Sequence, residues 1–185
     1  MNNVLSEARL PLTDHPDDPE AARILDGVRS RTGRVLNLHR VFAYAPKLMQ
    51  AQFDLVMALR FELTLSRDLV ELCILRTAQL CHSDYEWHQH LPMALQTGLS
   101  QAKIDALAGW HASSAFDDGE RSALLFTESV VSGSTLDTTA FATLRQHYSG
   151  RELVELAQLV SQYLATARII SAFAIPIEAP RGAAS

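Results

Sequence analysis

Cysteine is scarce in this chain: Cys73 and Cys81 are the only two among 185 residues. Two cysteines build no disulfide framework. If one helix carries both, they lie roughly 12 Å apart along its axis, beyond the reach of a bridge, so the expected setting is a reducing cytoplasm. Positive charge is short as well. Lys and Arg number 16 against 21 Asp and Glu, for a formal net charge of −5, which leaves no basic stripe to grip a nucleic-acid backbone. Long apolar runs are missing too. The most apolar stretch, 153–177, is broken by Glu155, Gln158, Gln162, Arg168 and Pro176, and it reads as a buried helix, not as a membrane span. Residues 1–7 lack the cationic start and apolar run of a secretory leader. No segment sustains strand-like alternation, and no Asn-Gly or Asp-Gly pair sits between strand-like runs.

What the chain does hold is helix punctuation on an ordinary globular composition, 48% hydrophobic and 20% charged. Asp18-Pro19-Glu20 supplies a cap, a first-turn proline and an early acid, with Gly33 as a stop. Asn37 is positioned to cap a short helix before Pro46, and Pro46 to open the next, through about Glu62. Ser66 is the cap expected for a helix carrying Asp68 and Glu71 near its positive end. Ser83 or Asp84 begins another, stopped at Gly98, and Ser100 opens one to about Ala108. Asp117 and Glu120 have the spacing of a capping box leading to Gly133. Asp137 starts a helix to about Tyr148, and Gly150 separates it from a long last one. The expected fold is all-α, with about seven to nine helices. Residues 1–36 form an N-terminal arm (1–16) and helix, 37–178 the main helical domain, and 179–185 a loose tail.

One phrase occurs twice. Ser66-Arg67-Asp68-Leu69-Val70-Glu71-Leu72 recurs as Gly150-Arg151-Glu152-Leu153-Val154-Glu155-Leu156, with Leu75 and Leu80 matched by Leu159 and Leu164. The first copy runs into Cys81-His82-Ser83-Asp84-Tyr85-Glu86-Trp87-His88-Gln89-His90, dense in proton-transfer groups. The second runs into Ala165-Thr166-Ala167-Arg168-Ile169-Ile170, which offers only packing. A duplicated scaffold with one working site is the expectation.

On a helix starting near Ser83, that serine, Glu86 and His90 fall within about 60° of arc. Glu86 and His90 form an i,i+4 pair in which a carboxylate orients or charges an imidazole. Glu71 reaches the same point if the preceding helix packs closely, and two carboxylates with one histidine are a kit for acid–base catalysis. The alternative is an exposed helix whose Glu and His face water. His82, Glu86 and His90 also make an i, i+4, i+8 stripe, but His82 is expected to precede the helix and no second ligand cluster follows, so no metal is expected. Cys81 is either a nucleophile near a helix start or a small buried residue. Cys73 reads as core. Ser83 lacks a Gly-x-Ser-x-Gly elbow and suits a cap. Tyr85 and Trp87 either line a pocket or pack. His39, His111 and His147 read as surface or structural.

These residues resemble the carboxymuconolactone decarboxylase superfamily, which includes the AhpD-like alkylhydroperoxidases. The likeness spans about 37–178. It is strongest over 67–99, in Arg-Asp-Leu-Val-Glu-Leu, Tyr-Glu-Trp-His-Gln-His and Gln-Thr-Gly-Leu-Ser. The resemblance implies an AhpD-like all-α fold with internal duplication and a homo-oligomer, whether dimer, trimer or hexamer. In the peroxidase branch a Glu precedes a Cys-x-x-Cys pair and a His follows it. The Glu position falls on Glu71, the His position on His90, and the two thiol positions on Ser83 and Glu86. No disulfide can form between a hydroxyl and a carboxylate. The decarboxylase branch uses proton transfer with no metal or organic cofactor, and Glu71, Glu86 and His90 are retained for it.

The functional expectation is therefore a cofactor-independent acid–base enzyme, a lyase or isomerase acting on a small lactone or carbonyl acid. Glu71, Glu86, His90 and Ser83 are its candidate catalytic residues, and Tyr85, His82 and Cys81 its candidate substrate contacts. A carboxylate-binding arginine remains unplaced: Arg76 is available, or else it pairs with Asp68 or Glu71. Two alternatives stand beside this reading: a peroxidase using Cys81 with an external reductant, and a non-catalytic oligomeric protein. Neither a nucleic acid nor a membrane is expected as partner.

Overall fold

The computed structural model describes residues 8–14 and 16–179. Among them stand nine α-helices and no strand: α1 (Pro19–Thr32), α2 (Asn37–Phe42), α3 (Pro46–Phe61), α4 (Arg67–Leu80), α5 (Asp84–Gln96), α6 (Gln101–Ala106), α7 (Asp118–Ser132), α8 (Thr138–His147) and α9 (Gly150–Phe173). A 3₁₀ segment, Leu107–Ala112, extends α6 beyond its expected end.

Caps place most of the boundaries. Asp18 accepts the N–H groups of Glu20 and Ala21 at 2.8 and 3.1 Å, and Gly33 ends α1 at φ 77°. Asp117 and Glu120 close a reciprocal capping box on α7 at 2.8 and 3.0 Å. Three expectations are corrected. Asn37 is the first residue of α2, not its cap; its amide donates to Pro176 O, and the Leu36 N–H goes to His39 Nδ1. Ser66 stands at the cap of α4, but its hydroxyl makes no cap bond. Gly150 lies inside α9, which Ser149 and Glu152 cap reciprocally at 3.3 and 2.8 Å.

The described residues fall into two compact units, one comprising the chain up to Ala58 and from Ile169 onward, the other Leu59–Arg168. In the first, Ala21, Ile24, Leu25 and Val28 form the i, i+3, i+4, i+7 stripe of α1. They pack with Val35, Ala43, Met49 and Phe53. Much of the expected arm and nearly all of the expected tail lie outside the described residues. The described part of the arm is tied down: Arg9 N–H bonds Phe173 O at 2.8 Å, Arg40 grips Asp14 at 2.9 and 3.1 Å, and Tyr44 donates to Pro11 O at 3.0 Å. Glu178 accepts the Asn37 N–H at 2.7 Å.

The second unit is organised around α4, which packs against α5, α7 and the 3₁₀ segment. Nine of its residues are buried, from Leu69 to Ala78, so the helix is covered on nearly every side. Truncating Leu72 or Leu75 there costs about 2–5 kcal/mol. Two bonds end α4: Ser83 N–H to Ala78 O at 2.9 Å and His82 N–H to Gln79 O at 3.1 Å. This is the left-handed stop normally given to glycine; here His82 adopts it at φ 52°. The turn folds α5 back along α4. Among the described residues, no helix is long and apolar enough to cross a membrane.

Candidate active site

The fold-back carries His90 of α5 to Glu71 of α4. Nδ1 of His90 lies 2.8 Å from Oε2 of Glu71, across 19 positions of sequence. Glu71 is 0% exposed, so its charge needs partners to be tolerated. Arg67, one turn earlier, supplies one through Nη2 at 3.1 Å from Oε1. The other Arg67 nitrogen, Nη1, donates to the Arg60 carbonyl. A carboxylate held by arginine only accepts hydrogen bonds, so Nδ1 of His90 carries the proton and Nε2 presents a lone pair.

On that second side stands Glu86, its Oε2 3.6 Å from Nε2. This is longer than a hydrogen bond but close enough for strong coupling. Glu86 is buried, and its Oε1 has no hydrogen-bond partner among the described residues. Burial pushes its carboxyl up to about 7, against the opposing pull of His90. The imidazole is thus flanked by one carboxylate locked in place and one with a free oxygen.

Ser83 is buried at the cap of α5, its Oγ accepting the Glu86 N–H at 3.4 Å. Tyr85 is buried, Cys81 half-buried and His82 exposed on the turn. Burial raises the Cys81 thiol above its ordinary range, Arg168 pulls it down and Glu86 adds to the rise. Arg76 pairs with Glu128 at 2.6 and 3.0 Å, not with Asp68 or Glu71. Glu128 also accepts from Trp110 Nε1 at 2.7 Å, which makes this a structural cluster. Among the described residues, no group of three or more His, Cys, Asp or Glu is placed to hold a metal ion.

Sequence reasoning missed three neighbours. Tyr163 stands edge-on to His90 with ring centroids 4.9 Å apart, and it comes from α9, two residues before the stretch read above as offering only packing. Burial and the charges of Glu86 and Glu71 push its hydroxyl up, so it stays protonated. Arg67 was visible in the repeated phrase, and its i,i+4 spacing from Glu71 was the available signal. Arg60 had none.

Residues 46–129 match the carboxymuconolactone decarboxylase family model, and this span holds Glu71, Ser83, Glu86 and His90. Over that span the chain is similar to the carboxymuconolactone decarboxylase family. A curated relative, the uncharacterized protein YnjA of Escherichia coli (strain K12), is 33% identical over 105 residues. That match covers 56% of this chain and only 57% of YnjA. Solved structures extend the likeness along the chain. An uncharacterized peroxidase-related protein from Silicibacter sp. TM1040 superposes with a TM-score of 0.80 at 18% identity, over 97% of this chain and 96% of that one. The debrominase Bmp8, solved with 2,3,4-tribromopyrrole, gives 0.75 at 20% identity, over 97% and 94%. At these identities the likeness establishes the fold.

Proposed function

We propose that this chain is a member of the carboxymuconolactone decarboxylase/AhpD-like superfamily and works as a cofactor-independent acid–base enzyme, of lyase or isomerase type, acting on a small lactone or carbonyl acid. The observation that carries the reading is the file Arg67–Glu71–His90–Glu86, buried from Glu71 onward, which ends on a carboxyl oxygen with no partner among the described residues. Arg67 pairs with Glu71, and Glu71 holds the His90 tautomer. Nε2 then takes a proton from a substrate carbon beside a carbonyl: the C–H bond breaks and its electron pair moves onto the carbonyl oxygen. The imidazolium so formed lies between two carboxyl groups. Glu86, which titrates near neutrality, returns a proton to a second substrate atom. Decarboxylation uses the same groups: the bond to the departing CO₂ breaks, the pair stays on carbon, and Glu86 protonates it.

The resemblance puts Ser83 and Glu86 at the positions of the family's thiols, and burial disfavours a thiolate at Cys81, so peroxidase chemistry is the weaker reading. The test is a substrate panel in D₂O followed by NMR, with lactone acids, hydroperoxides and a bromopyrrole of the kind bound by Bmp8. Deuterium entry or CO₂ release from an acid is expected. Hydroperoxide consumption with no exchange on any acid would sink the proposal.

We also propose that subunits associate as a dimer, trimer or hexamer in the cytoplasm. Phe61, Phe141 and Val154 are exposed on the second unit, Val154 to 71%, and apolar surface of that kind is commonly covered by a partner. Sedimentation at micromolar concentration checks this; a single species at the subunit mass of 20.4 kDa counts against it.

A further inference from the structure

Among the described residues, two buried side-chain polar atoms lack a hydrogen-bond partner, Nε of Arg60 and Oε1 of Glu86. One is a cationic donor and the other a carboxyl oxygen, and both belong to the surroundings of His90. Glu86 faces Nε2 of the imidazole. Arg60 reaches α5 one turn past that histidine, its Nη2 3.1 Å from Met93 Sδ. Its carbonyl accepts from Arg67, the same guanidinium that holds Glu71. Tyr163, edge-on to the ring, feels the charges of both Arg60 and Glu86.

Arg60 differs from every other arginine of its unit. Arg67 pairs with Glu71, Arg76 with Glu128 and Arg151 with Glu155. Arg121 holds three carbonyl oxygens, those of Trp110, His111 and Ser113. Arg145 and Arg168 are exposed to water. Arg60 is half-buried, has a thioether as its acceptor, and lies over the Phe61 ring at 5.2 Å. Sulfur is a weak acceptor. A guanidinium stacked on an aromatic face with a free edge is pre-set for a planar oxyanion. A buried donor left unmet is destabilising, and a ligand oxygen recovers that loss.

We propose that Arg60 is a substrate-binding residue, and that its Nε–H takes an oxygen of a small organic carboxylate whose proton-exchanging atom is turned toward His90 and Glu86. This deepens the acid–base reading and depends on it only for the identity of the reacting atom; the binding step stands apart. The two unmatched atoms define the ligand class. The donor needs an anionic oxygen. The carboxyl oxygen needs a proton carried on carbon or oxygen elsewhere in the same molecule. Lactone acids, keto acids and hydroxy acids have both.

The test is binding, measured by calorimetry and by NMR of the Arg60 Nε–H, with acetate, crotonate and 2-furoate as probes, each against its uncharged amide. In the wild type, a carboxylate should bind more tightly than its amide and shift the Arg60 Nε–H resonance. Arg60→Gln and Arg60→Lys should each weaken the carboxylate about tenfold or more and leave amide binding unchanged. If Arg60→Gln fails to fold, Arg60→Lys and the wild-type resonance still decide the matter. Equal carboxylate affinity in wild type and Arg60→Lys, or an Arg60 resonance unmoved by all three acids, overturns the proposal. Binding through Arg60 with no proton exchange on any acid would uphold it and remove the acid–base reading instead.

Discussion

Glu71 and His90 meet at 2.8 Å in the interior of the second unit, although they belong to different helices. The contact exists because His82 accepts a left-handed conformation that reverses the chain between α4 and α5. In the second copy of the repeated phrase, Glu155 is paired differently. It accepts from Thr64 N and Oγ at 2.8 Å each and from Arg151 at 2.8 Å, all at the surface. Both copies open a helix and both make the i,i+4 Arg–Glu pair, yet only one acid is buried against a histidine.

His90→Gln should therefore lower turnover of any acid substrate about 10²-fold or more. The amide still donates to Glu71, so the loss of stability should stay near 1 kcal/mol. Glu155→Gln should cost about as much stability and leave turnover unchanged. Steady-state rates and denaturant midpoints measured side by side would show whether the two acids differ in this way.

Glu86 should make folding stability fall as the solution becomes neutral. Its ordinary value of 4.5 is raised to about 7 in the folded chain, chiefly by burial. The folded state thus binds the proton more tightly, and the associated stability is full below about 4.5 and lost as pH rises through about 7. Melting temperatures of wild type and Glu86→Gln, compared between pH 4.5 and 8, should show the wild type losing ground as pH increases. Parallel curves would contradict this.

His39 should act in the opposite sense. Burial, the leading cause, lowers it from 6.5 to about 4, opposed by Glu178 and assisted by Arg40 and Arg34. Its Nδ1 accepts the Leu36 N–H at 3.0 Å, which keeps that nitrogen unprotonated. The unfolded chain takes up the proton first, so stability present above about 6.5 is lost as pH falls toward about 4. Relative to His39→Gln, the wild type should weaken on acidification across that window, as read by calorimetry.

The cysteines should not cycle. Cys73 is fully buried and its thiol is pushed up to about 12 by burial, while burial also raises Cys81. Thiol titration should find Cys81 slow to react and Cys73 blocked until denaturation. After peroxide treatment, mass spectrometry should detect no Cys73–Cys81 bond. Efficient peroxide turnover coupled to that bond would instead favour the thiol reading.

Local signals were legible wherever a side chain acts on its own backbone. Asp18, Asp117 and Asp137 cap the helices they were read as capping, and Gly33 and Gly133 end theirs at positive φ. The readings that failed involve distant partners. Asn37 is drawn from the cap role by Pro176 and Arg40, and Arg76 is taken by Glu128. Tyr163 and Arg60 gave no signal because their meaning lies in what packs beside them.

By itself, then, the sequence determined the helical class, most helix ends and the shared face of Glu86 and His90, because capping and a 3.6-residue period act over a few positions. Tertiary structure alone decided that Glu71 is fully buried against His90 and that, among the described residues, Oε1 of Glu86 and Nε of Arg60 are left without hydrogen-bond partners. Burial and hydrogen-bond satisfaction depend on every element that packs around a group, and no short-range pattern encodes that sum.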